Sequence, residues 1–243
     1  MPFYGSPRSV LYGPRTPPAK KRKYTPRRVP RPLRVPVRKP SLQVAGFTWT
    51  NNSQPVVFTP GGAVYNMTVY PAGPGEDHRH TNTTMTYKMS LNLEIQVHPD
   101  YYTRACTWTI HWFIVVDMAP AGTLPAISDI FDNQFANAPQ TWLVNRAQSR
   151  RFVIKHRWHN QLSTNGIDPT KVCTSGVTPA NFYIPVNLFY DKLACKTEWK
   201  SVSTGLLADI KSGALYLIGA PRANVKFQVQ GKFRMYFKSV GNQ

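Results

Sequence analysis

Two pairs of histidines and three cysteines are the residues of this chain whose types suit metal binding. His78 and His80 stand two residues apart in a loop, next to Glu76 and Asp77, so on extended backbone both rings can reach one ion. No thiolate stands at a recognised ligand spacing from them, and a solvated loop or an interface contact is the simpler interpretation. The sequence therefore predicts no metal site here.

The remaining candidates are too far apart or wrongly oriented. His156 and His159 fall on opposite faces of a predicted strand, so they cannot share a metal ion. Cys106, Cys173 and Cys195 lie far apart and without C-x-x-C spacing, which excludes a zinc finger by motif. Their odd number and wide spacing argue against a disulfide framework and favour a reducing compartment.

Sequence motifs of enzyme active sites are missing from the chain. It contains no G-x-S-x-G, no H-E-x-x-H, no phosphate-binding P-loop and no G-x-G-x-x-G. The 11 acidic residues are isolated, and no two carboxylates are in register for acid–base catalysis. We therefore predict a protein that is not an enzyme, with no catalytic residues and no cofactor.

Basic residues are the distinctive chemistry of the sequence. The 243 residues carry 30 Lys+Arg against 11 Asp+Glu, for a net charge of +19, which indicates a polyanionic partner and most simply nucleic acid. The first 40 residues hold twelve of these cations, ten of the 22 prolines and no acidic residue. The predicted DNA-binding residues of this segment are Arg8, Arg15, Lys20, Lys21, Arg22, Lys23, Arg27, Arg28, Arg31, Arg34, Arg38 and Lys39.

The chain divides at Pro40 into a basic arm, residues 1–40, and a body, residues 41–243. Proline removes backbone donors and like charges repel, so we expect the arm to be an extended, largely disordered segment with polyproline II character. The run Lys20, Lys21, Arg22, Lys23 in this setting predicts a nuclear localisation signal. DNA binding and nuclear localisation are therefore assigned to the arm.

A second group of cations lies in the body, in a stretch with the alternation of a β-strand. That alternation predicts that Arg151, Lys155 and Arg157 share one face of the strand. The apolar residues Phe152, Ile154 and Trp158 would then point into the core. A row of cations on a sheet suits a phosphate backbone, so these three are further DNA-binding candidates. An ordinary solvent-facing strand is the alternative.

The elements that carry these residues are strands. Residues 84–97 alternate polar and apolar over seven pairs, which assigns Met85 and Tyr87 to the apolar face. The whole chain predicts about eight or nine strands joined by long loops. One short helix is predicted over 127–135, with Ser128 as its N-cap, and Gly231 is a predicted bulge. We predict an all-β fold: an antiparallel eight-stranded jelly-roll sandwich with at most one or two short helices. No run of 18 apolar residues and no signal peptide is visible, so we expect no membrane insertion.

The sequence resembles the coat proteins of geminiviruses, in particular the mastrevirus branch. The C-terminal run RMYFKSVGNQ (residues 234–243) is the most specific stretch, and GALY (213–216) precedes it. Further agreement along the body is found in PSLQ (40–43), RHT (79–81), MTYK (85–88), RFVIK (151–155) and WKSV (199–202). The resemblance covers most of residues 40–243 in order, whereas the arm is similar only in being basic.

The resemblance implies a jelly-roll capsid protein that forms pentamers and then twinned, incomplete icosahedra around circular single-stranded DNA. It also implies shuttling of that DNA into and out of the host nucleus, movement in plants and transmission by insects. The expected partners are viral single-stranded DNA, further copies of the chain, host importin alpha and an insect vector receptor, and the expected locations are the virion and the host nucleus. The Cys/His cluster of the whitefly-borne branch has no counterpart here.

A cellular nucleic-acid-binding protein with a basic tail, such as a ribosomal protein, is the alternative from another class. The bodies of such proteins are usually small and basic throughout. Here the 203 residues after the arm carry 18 basic and 11 acidic side chains, and the chain holds six tryptophans. The uneven charge therefore favours a shell subunit with a separate DNA-binding arm.

Overall fold

The computed structural model describes residues 42–50, 54–132, 134–167 and 181–241. These residues form thirteen strands in chain order. They are β1 (Gln43–Trp49), β2 (Val56–Phe58), β3 (Ala63–Asn66), β4 (Thr83–Val97), β5 (Ala105–Asp117), β6 (Phe131–Asp132), β7 (Leu143–Val144), β8 (Phe152–Asn165), β9 (Tyr183–Tyr190), β10 (Cys195–Trp199), β11 (Ile210–Ser212), β12 (Ala214–Pro221) and β13 (Phe227–Ser239).

Two antiparallel sheets pack face to face. The first has seven strands along the order β1-β13-β4-β10-β11, with β2 also paired to β13 and β9 also paired to β4; the second has the order β3-β12-β5-β8. The chain changes sheet from β1 to β3, then at β4, β5, β9, β12 and β13, which is the path of a jelly roll. The predicted all-β jelly roll is confirmed. The predicted number of eight strands is not confirmed, because the described residues place eleven strands in the two layers and pair β6 with β7 outside them.

The alternation predicted for residues 84–97 holds over Met89–Val97 and fails before it. At Tyr87 the register of β4 on β13 shifts by one residue, so Tyr87 is exposed and Thr84 and Thr86 are buried instead. The inward hydroxyls are satisfied there: the Trp199 indole Nε1 donates a hydrogen bond to Thr84 Oγ1 at 3.0 Å. The prediction that Met85 and Tyr87 face the core is therefore wrong, because a bulge reverses the phase of the strand.

The core between the sheets is largely aromatic. Phe58 stacks on Phe227 with ring centroids 4.5 Å apart, and Tyr70 stacks on Phe237 at 4.1 Å. Burial raises the pKa of the Tyr70 hydroxyl, whose oxygen lies 3.0 Å from Thr86 Oγ1. Rings of this size bury a large apolar area each, so a few contacts of this kind hold two long sheets together.

A second apolar layer covers the outer face of the four-stranded sheet. Phe113 of β5 lies 4.8 Å from Phe131 and 6.2 Å from Trp142, ring centroid to centroid. The Trp142 indole donates to the Phe135 carbonyl at 3.1 Å, which ties the loop after β6 onto the same cluster. The segment between β5 and β8 is therefore packed against the sheet rather than extended into solvent.

Helical structure in the described part is short. The α-helix α1 spans Ile127–Ile130, and four 3₁₀ turns lie at Pro99–Tyr101, Pro139–Thr141, Arg146–Gln148 and Leu207–Asp209. The N-cap of α1 is Ala126, not Ser128, and the Asp129 carboxylate accepts the Ala126 N–H at 3.0 Å. The helix ends early because Phe131 turns to extended backbone and pairs in β6. No helix in these residues is long and apolar enough to cross a membrane.

Candidate nucleic-acid interface

Arg151 lies in the turn before β8, not in the strand. Its Nε and Nη2 atoms donate to the two carboxylate oxygens of Asp117, each at 2.9 Å, and its guanidinium lies 4.6 Å from the centroid of the Phe152 ring. The hydrogen bond to Asp117 raises the pKa of Arg151 against the opposing effect of burial. This pair occupies one edge of the guanidinium fork, so Arg151 presents only part of its donors to a phosphate.

Asp117 is fully buried at the end of β5 and binds more than the arginine. The Tyr216 hydroxyl donates to Asp117 Oδ2 at 3.2 Å, and the Ala119 N–H donates to Oδ1 at 3.0 Å. Burial, together with the Asp117 charge, raises the pKa of Tyr216. A buried charge must be paired to be tolerated. Arg151 therefore has a structural task that the sequence pattern does not show.

Lys155 lies at a bulge in β8. The register of β8 on β5 shifts between Ile154 and His156, which leaves Lys155 as the extra residue. Its carbonyl accepts the Tyr190 hydroxyl at 2.9 Å, which joins β8 to β9 of the other sheet. Burial raises the pKa of the Cys195 thiol to about 11, and the nearby Lys155 charge opposes that rise. Lys155 is therefore half-buried beside strands of the other sheet.

Arg157 lies on the outer face of the four-stranded sheet beside two histidines. It pairs across with Phe113, and the next outward pair is His159 with His111, whose ring centroids are 5.8 Å apart. These residues, with Trp158 and the loop residues Pro139 and Gln140, line a pocket of about 240 Å³.

Arg157 is the permanent cation among the described residues that line the pocket. Burial lowers the pKa of His111, and the positive charges of His159, Arg222 and Arg157 lower it further. None of the described residues that line the pocket is a carboxylate, so the charge of Arg157 favours an anion there. Arg157 is the predicted body cation that the structure places at a concave surface.

The prediction that Arg151, Lys155 and Arg157 share one face of a strand is therefore wrong. Arg151 is turned toward Asp117, Lys155 occupies a bulge, and Arg157 alone of the three lines the outer pocket. The predicted burial of Phe152, Ile154 and Trp158 is confirmed, since all three belong to or pack against the core. Their predicted common face is wrong, because the bulge pairs Ile154 with Val115 but Trp158 with Trp112, which point to opposite sides of β5. A bulge and an ion pair to a distant residue are both tertiary features, which strand alternation does not reveal.

The histidines of each pair have different partners. His78 Nδ1 lies 2.8 Å from Asp77 Oδ1, whereas His80 Nε2 lies 3.2 Å from the Gly75 carbonyl oxygen. His156 stacks on Tyr190 at 4.7 Å, on the side opposite the His111–His159 pair. Within the part of the chain that the structure describes, no three His, Cys, Asp or Glu residues are grouped to hold a metal ion.

Arg79 lies between the two loop histidines in the sequence, and unlike them it is fully buried. Its guanidinium is buried, donates to the Tyr70 carbonyl at 3.1 Å, to Asn82 Oδ1 at 2.9 Å and to the Val202 carbonyl, and lies 4.8 Å over the Trp199 ring. Burial lowers its pKa. The prediction of a solvated loop is therefore wrong for Arg79, because its hydrogen bonds join the loop before β4 to the loop after β10.

The arm candidates lie outside the described residues, as does Cys173. They comprise the proposed nuclear localisation residues Lys20, Lys21, Arg22 and Lys23 and the other arm cations from Arg8 to Lys39.

Comparison with known proteins identifies the family. A sequence model described as "Geminivirus coat protein/nuclear export factor BR1 family" matches residues 5–243. The chain belongs to that family. Its relatives include the capsid proteins of Tobacco yellow dwarf virus (strain Australia), 42% identical over 85% of this chain and 82% of that protein, and of Chloris striate mosaic virus, 39% identical over 89% and 91%.

The chain is also similar to a further capsid protein and to a chain of a solved structure. The capsid protein of Miscanthus streak virus (isolate 91) is 35% identical over 83% of this chain and 86% of that protein. Among solved structures, a chain of Desmodium yellow mottle tymovirus covers 89% of this chain and 99% of its own length, at 9% identity and a TM-score of 0.32.

Family membership decides between the alternatives left open by the sequence. The protein is a viral coat protein that assembles with further copies of itself and resides in the virion. The relatives are structural proteins, which confirms the prediction that this chain is not an enzyme. The alternative of a ribosomal protein is rejected.

Proposed function

We propose that this coat protein packages circular single-stranded DNA without reading its sequence, through the cations of the basic arm. The observation that carries the proposal is the distribution of charge: residues 1–40 hold twelve cations and no acidic residue. Packaged DNA repels itself strongly, and cations that neutralise phosphates counter that repulsion without base contacts. The rigid jelly roll supplies the shell, and the arm supplies the counter-charge.

The proposed particle is the twinned, incomplete icosahedron built from pentamers that the resemblance to mastrevirus coat proteins implies. Electron microscopy of full-length protein expressed with a circular single-stranded DNA tests both parts at once. Twinned particles that protect the DNA from nuclease are the expected result. Particles that form equally well without DNA and protect none of it would contradict packaging.

We also propose that the protein carries DNA into and out of the host nucleus, with importin alpha binding Lys20, Lys21, Arg22 and Lys23. Support comes from the short basic run between prolines and from the family description, which names a nuclear export factor. Pull-down of importin alpha by full-length protein, compared with a variant that has alanine at these four positions, tests the assignment. Retention of importin alpha by the variant would contradict it.

Insect transmission and movement in the plant complete the proposed function, with a vector receptor as partner. The support is the resemblance to the mastrevirus branch, for which leafhoppers are the expected vectors. Feeding leafhoppers on purified particles, and then measuring particles in the haemolymph, tests it. Particles that never leave the gut would contradict recognition by the vector.

A further inference from the structure

The outward face of the seven-stranded sheet carries an exposed phenylalanine and a half-buried tyrosine next to cations. On β13 the residues Phe233, Met235 and Phe237 point into the core, so the intervening Arg234 and Tyr236 point outward. Phe189 lies near the end of β9, a strand that pairs with β4 alone among the described strands, and its side chain is 58% exposed. We call Lys88, Phe189, Lys232, Arg234 and Tyr236 the Phe189 patch.

Strand register places these residues in adjacent rows. Arg234 pairs with Gly46 on one side and Ser90 on the other, and Ser90 pairs with Phe189. Arg234 and Phe189 are therefore in one row, roughly 10 Å apart across two strand spacings. Both residues beside Arg234 are small, and a Cβ built on Gly46 would meet no atom within 4 Å. The row is open to solvent over Arg234.

The neighbouring row brings a second ring and a second cation. Tyr236 pairs with Lys88, the Tyr236 and Phe189 ring centroids are 6.0 Å apart, and Lys88 Nζ lies 5.6 Å from the Phe189 centroid. In the residues that the structure describes, none of Lys88, Lys232 and Arg234 lies within 4.0 Å of a carboxylate oxygen. Their charges are therefore not neutralised by an ion pair with any residue that the structure describes.

A shallow depression continues the patch along the sheet. It has a volume of about 510 Å³, and the side chains that line it include Lys232 and the amides of Asn92, Asn187 and Gln230. Glu94 also lines it, and the Gln230 side chain donates to that carboxylate at 3.2 Å. Outward-facing aromatic rings, cations without a carboxylate partner and a polar groove side by side are the components with which proteins bind single-stranded nucleic acid.

We propose that the Phe189 patch is a stacking platform for the packaged single-stranded DNA, with bases on Phe189 and Tyr236 and phosphates at Lys88, Lys232 and Arg234. This inference rests on the proposed packaging function and assigns it a surface in the jelly roll, separate from the arm. A second copy of the chain is the competing occupant, but three uncompensated cations in one patch favour a polyanion over another strongly basic molecule. The platform holds about two nucleotides, one for each ring.

The test uses full-length protein and a fluorescent 20-nucleotide oligothymidine. Phe189→Ala should weaken binding at least about fivefold, which corresponds to the loss of one stacked base. Phe135→Ala is the matched control, because Phe135 is 65% exposed and belongs to the loop on the other sheet; it should change affinity less than twofold. Since stacking needs a base, the loss caused by Phe189→Ala should disappear on an abasic 20-mer.

Charge and ring should respond differently to salt. Arg234→Ala should weaken binding at low salt and have less effect at high salt, whereas the Phe189→Ala loss should persist. Lys211→Ala, an exposed lysine on β11, is the charge control for Arg234→Ala. Photocrosslinking of an oligomer that carries 4-thiothymidine should label peptides containing Phe189 or Tyr236.

The outcomes separate this proposal from the packaging function. If the wild-type protein does not bind the oligomer, the packaging function and this platform both fail. If it binds, but Phe189→Ala and Arg234→Ala behave like their controls and crosslinks lie elsewhere, the platform alone is overturned. If Phe189→Ala leaves affinity unchanged and abolishes particle assembly, the patch is an interface between copies and the proposal is likewise overturned.

Discussion

Gly231 and Asn92 approach each other so closely across β13 and β4 that a Cβ on Gly231 would lie 2.2 Å from the Asn92 carbonyl oxygen. Gly231 also has φ +146°, a conformation that side-chain-bearing residues rarely adopt. The ladder is regular at this point, with Gly231 opposite Leu93. A glycine is therefore required at position 231 because the two backbones approach too closely for a side chain. The prediction of a bulge at Gly231 is wrong.

Gly231→Ala should accordingly destabilise the body by about 2 kcal/mol or more, because backbone has to move in the centre of the sheet. Gly46→Ala on the neighbouring strand is the matched control, since its Cβ would meet open space. That variant should be within about 1 kcal/mol of wild type. Urea unfolding followed by tryptophan fluorescence measures both, and equal stability of the two variants would contradict the assignment.

Asp117→Asn should lower the free energy of unfolding by about 3 kcal/mol, because it leaves Arg151 without its carboxylate beside the core. The value is at the lower end for a buried pair, since the Arg151 side chain is 25% exposed and water can solvate it. Asp132→Asn, at an exposed aspartate of β6, should change stability by less than about 0.5 kcal/mol. If both variants unfold at the same urea concentration, the Arg151–Asp117 pair does not stabilise the fold.

His111 should titrate below its ordinary pKa, because it is partly buried and surrounded by His159, Arg222 and Arg157. The unfolded chain then takes up this proton more readily than the folded one, so stability falls as the pH drops below about 6.5. His111→Gln should lose less stability than wild type between pH 7 and pH 5. His159→Gln should raise the pKa of His111, as measured by NMR, and a His111 pKa at or above the ordinary value would contradict this account.

Alanine at Lys20, Lys21, Arg22 and Lys23 should abolish nuclear accumulation of the fluorescently tagged full-length protein. The run is one-signed and flanked by Pro17, Pro18 and Pro26, which prevent a compact helix from hiding it. Alanine at Arg27, Arg28, Arg31 and Arg34 is the matched control. Equal loss in both variants would indicate a signal in two parts, and unchanged nuclear fluorescence in the first would contradict the assignment.

The presence of a strand and its core face could be predicted wherever the strand alternates without interruption. Met89–Val97 is such a stretch, because a sheet with one buried face imposes a period of two. Tyr87 and Lys155 lie at bulges, where the register depends on the partner strand and no local pattern marks the extra residue. The alternation predicted that Arg151 faces solvent, but its guanidinium pairs with Asp117, 34 residues earlier in the chain.

The candidate DNA surface of the body illustrates the same limit. Arg157 could be selected from sequence because it stands in a basic stretch, whereas Phe189 and Arg234 lie 45 residues apart and become neighbours only through β4. The buried acid Asp117 did leave a signal, since a carboxylate directly after the apolar run Ile114–Val116 needs a partner. The identity of that partner is a property of the fold.

The central claim is that the arm supplies most of the attraction between this coat protein and single-stranded DNA. The salt dependence of binding to an oligothymidine tests it most directly, measured for the full chain and for residues 41–243, with circular dichroism to show that the shorter chain is folded. If about eight of the twelve arm cations contact phosphates, log K for the full chain should fall by about 5 to 6 per tenfold rise in salt, and the shorter chain should bind far more weakly. A slope for the full chain shallower than about −2, or equal slopes for the two chains, would contradict the claim.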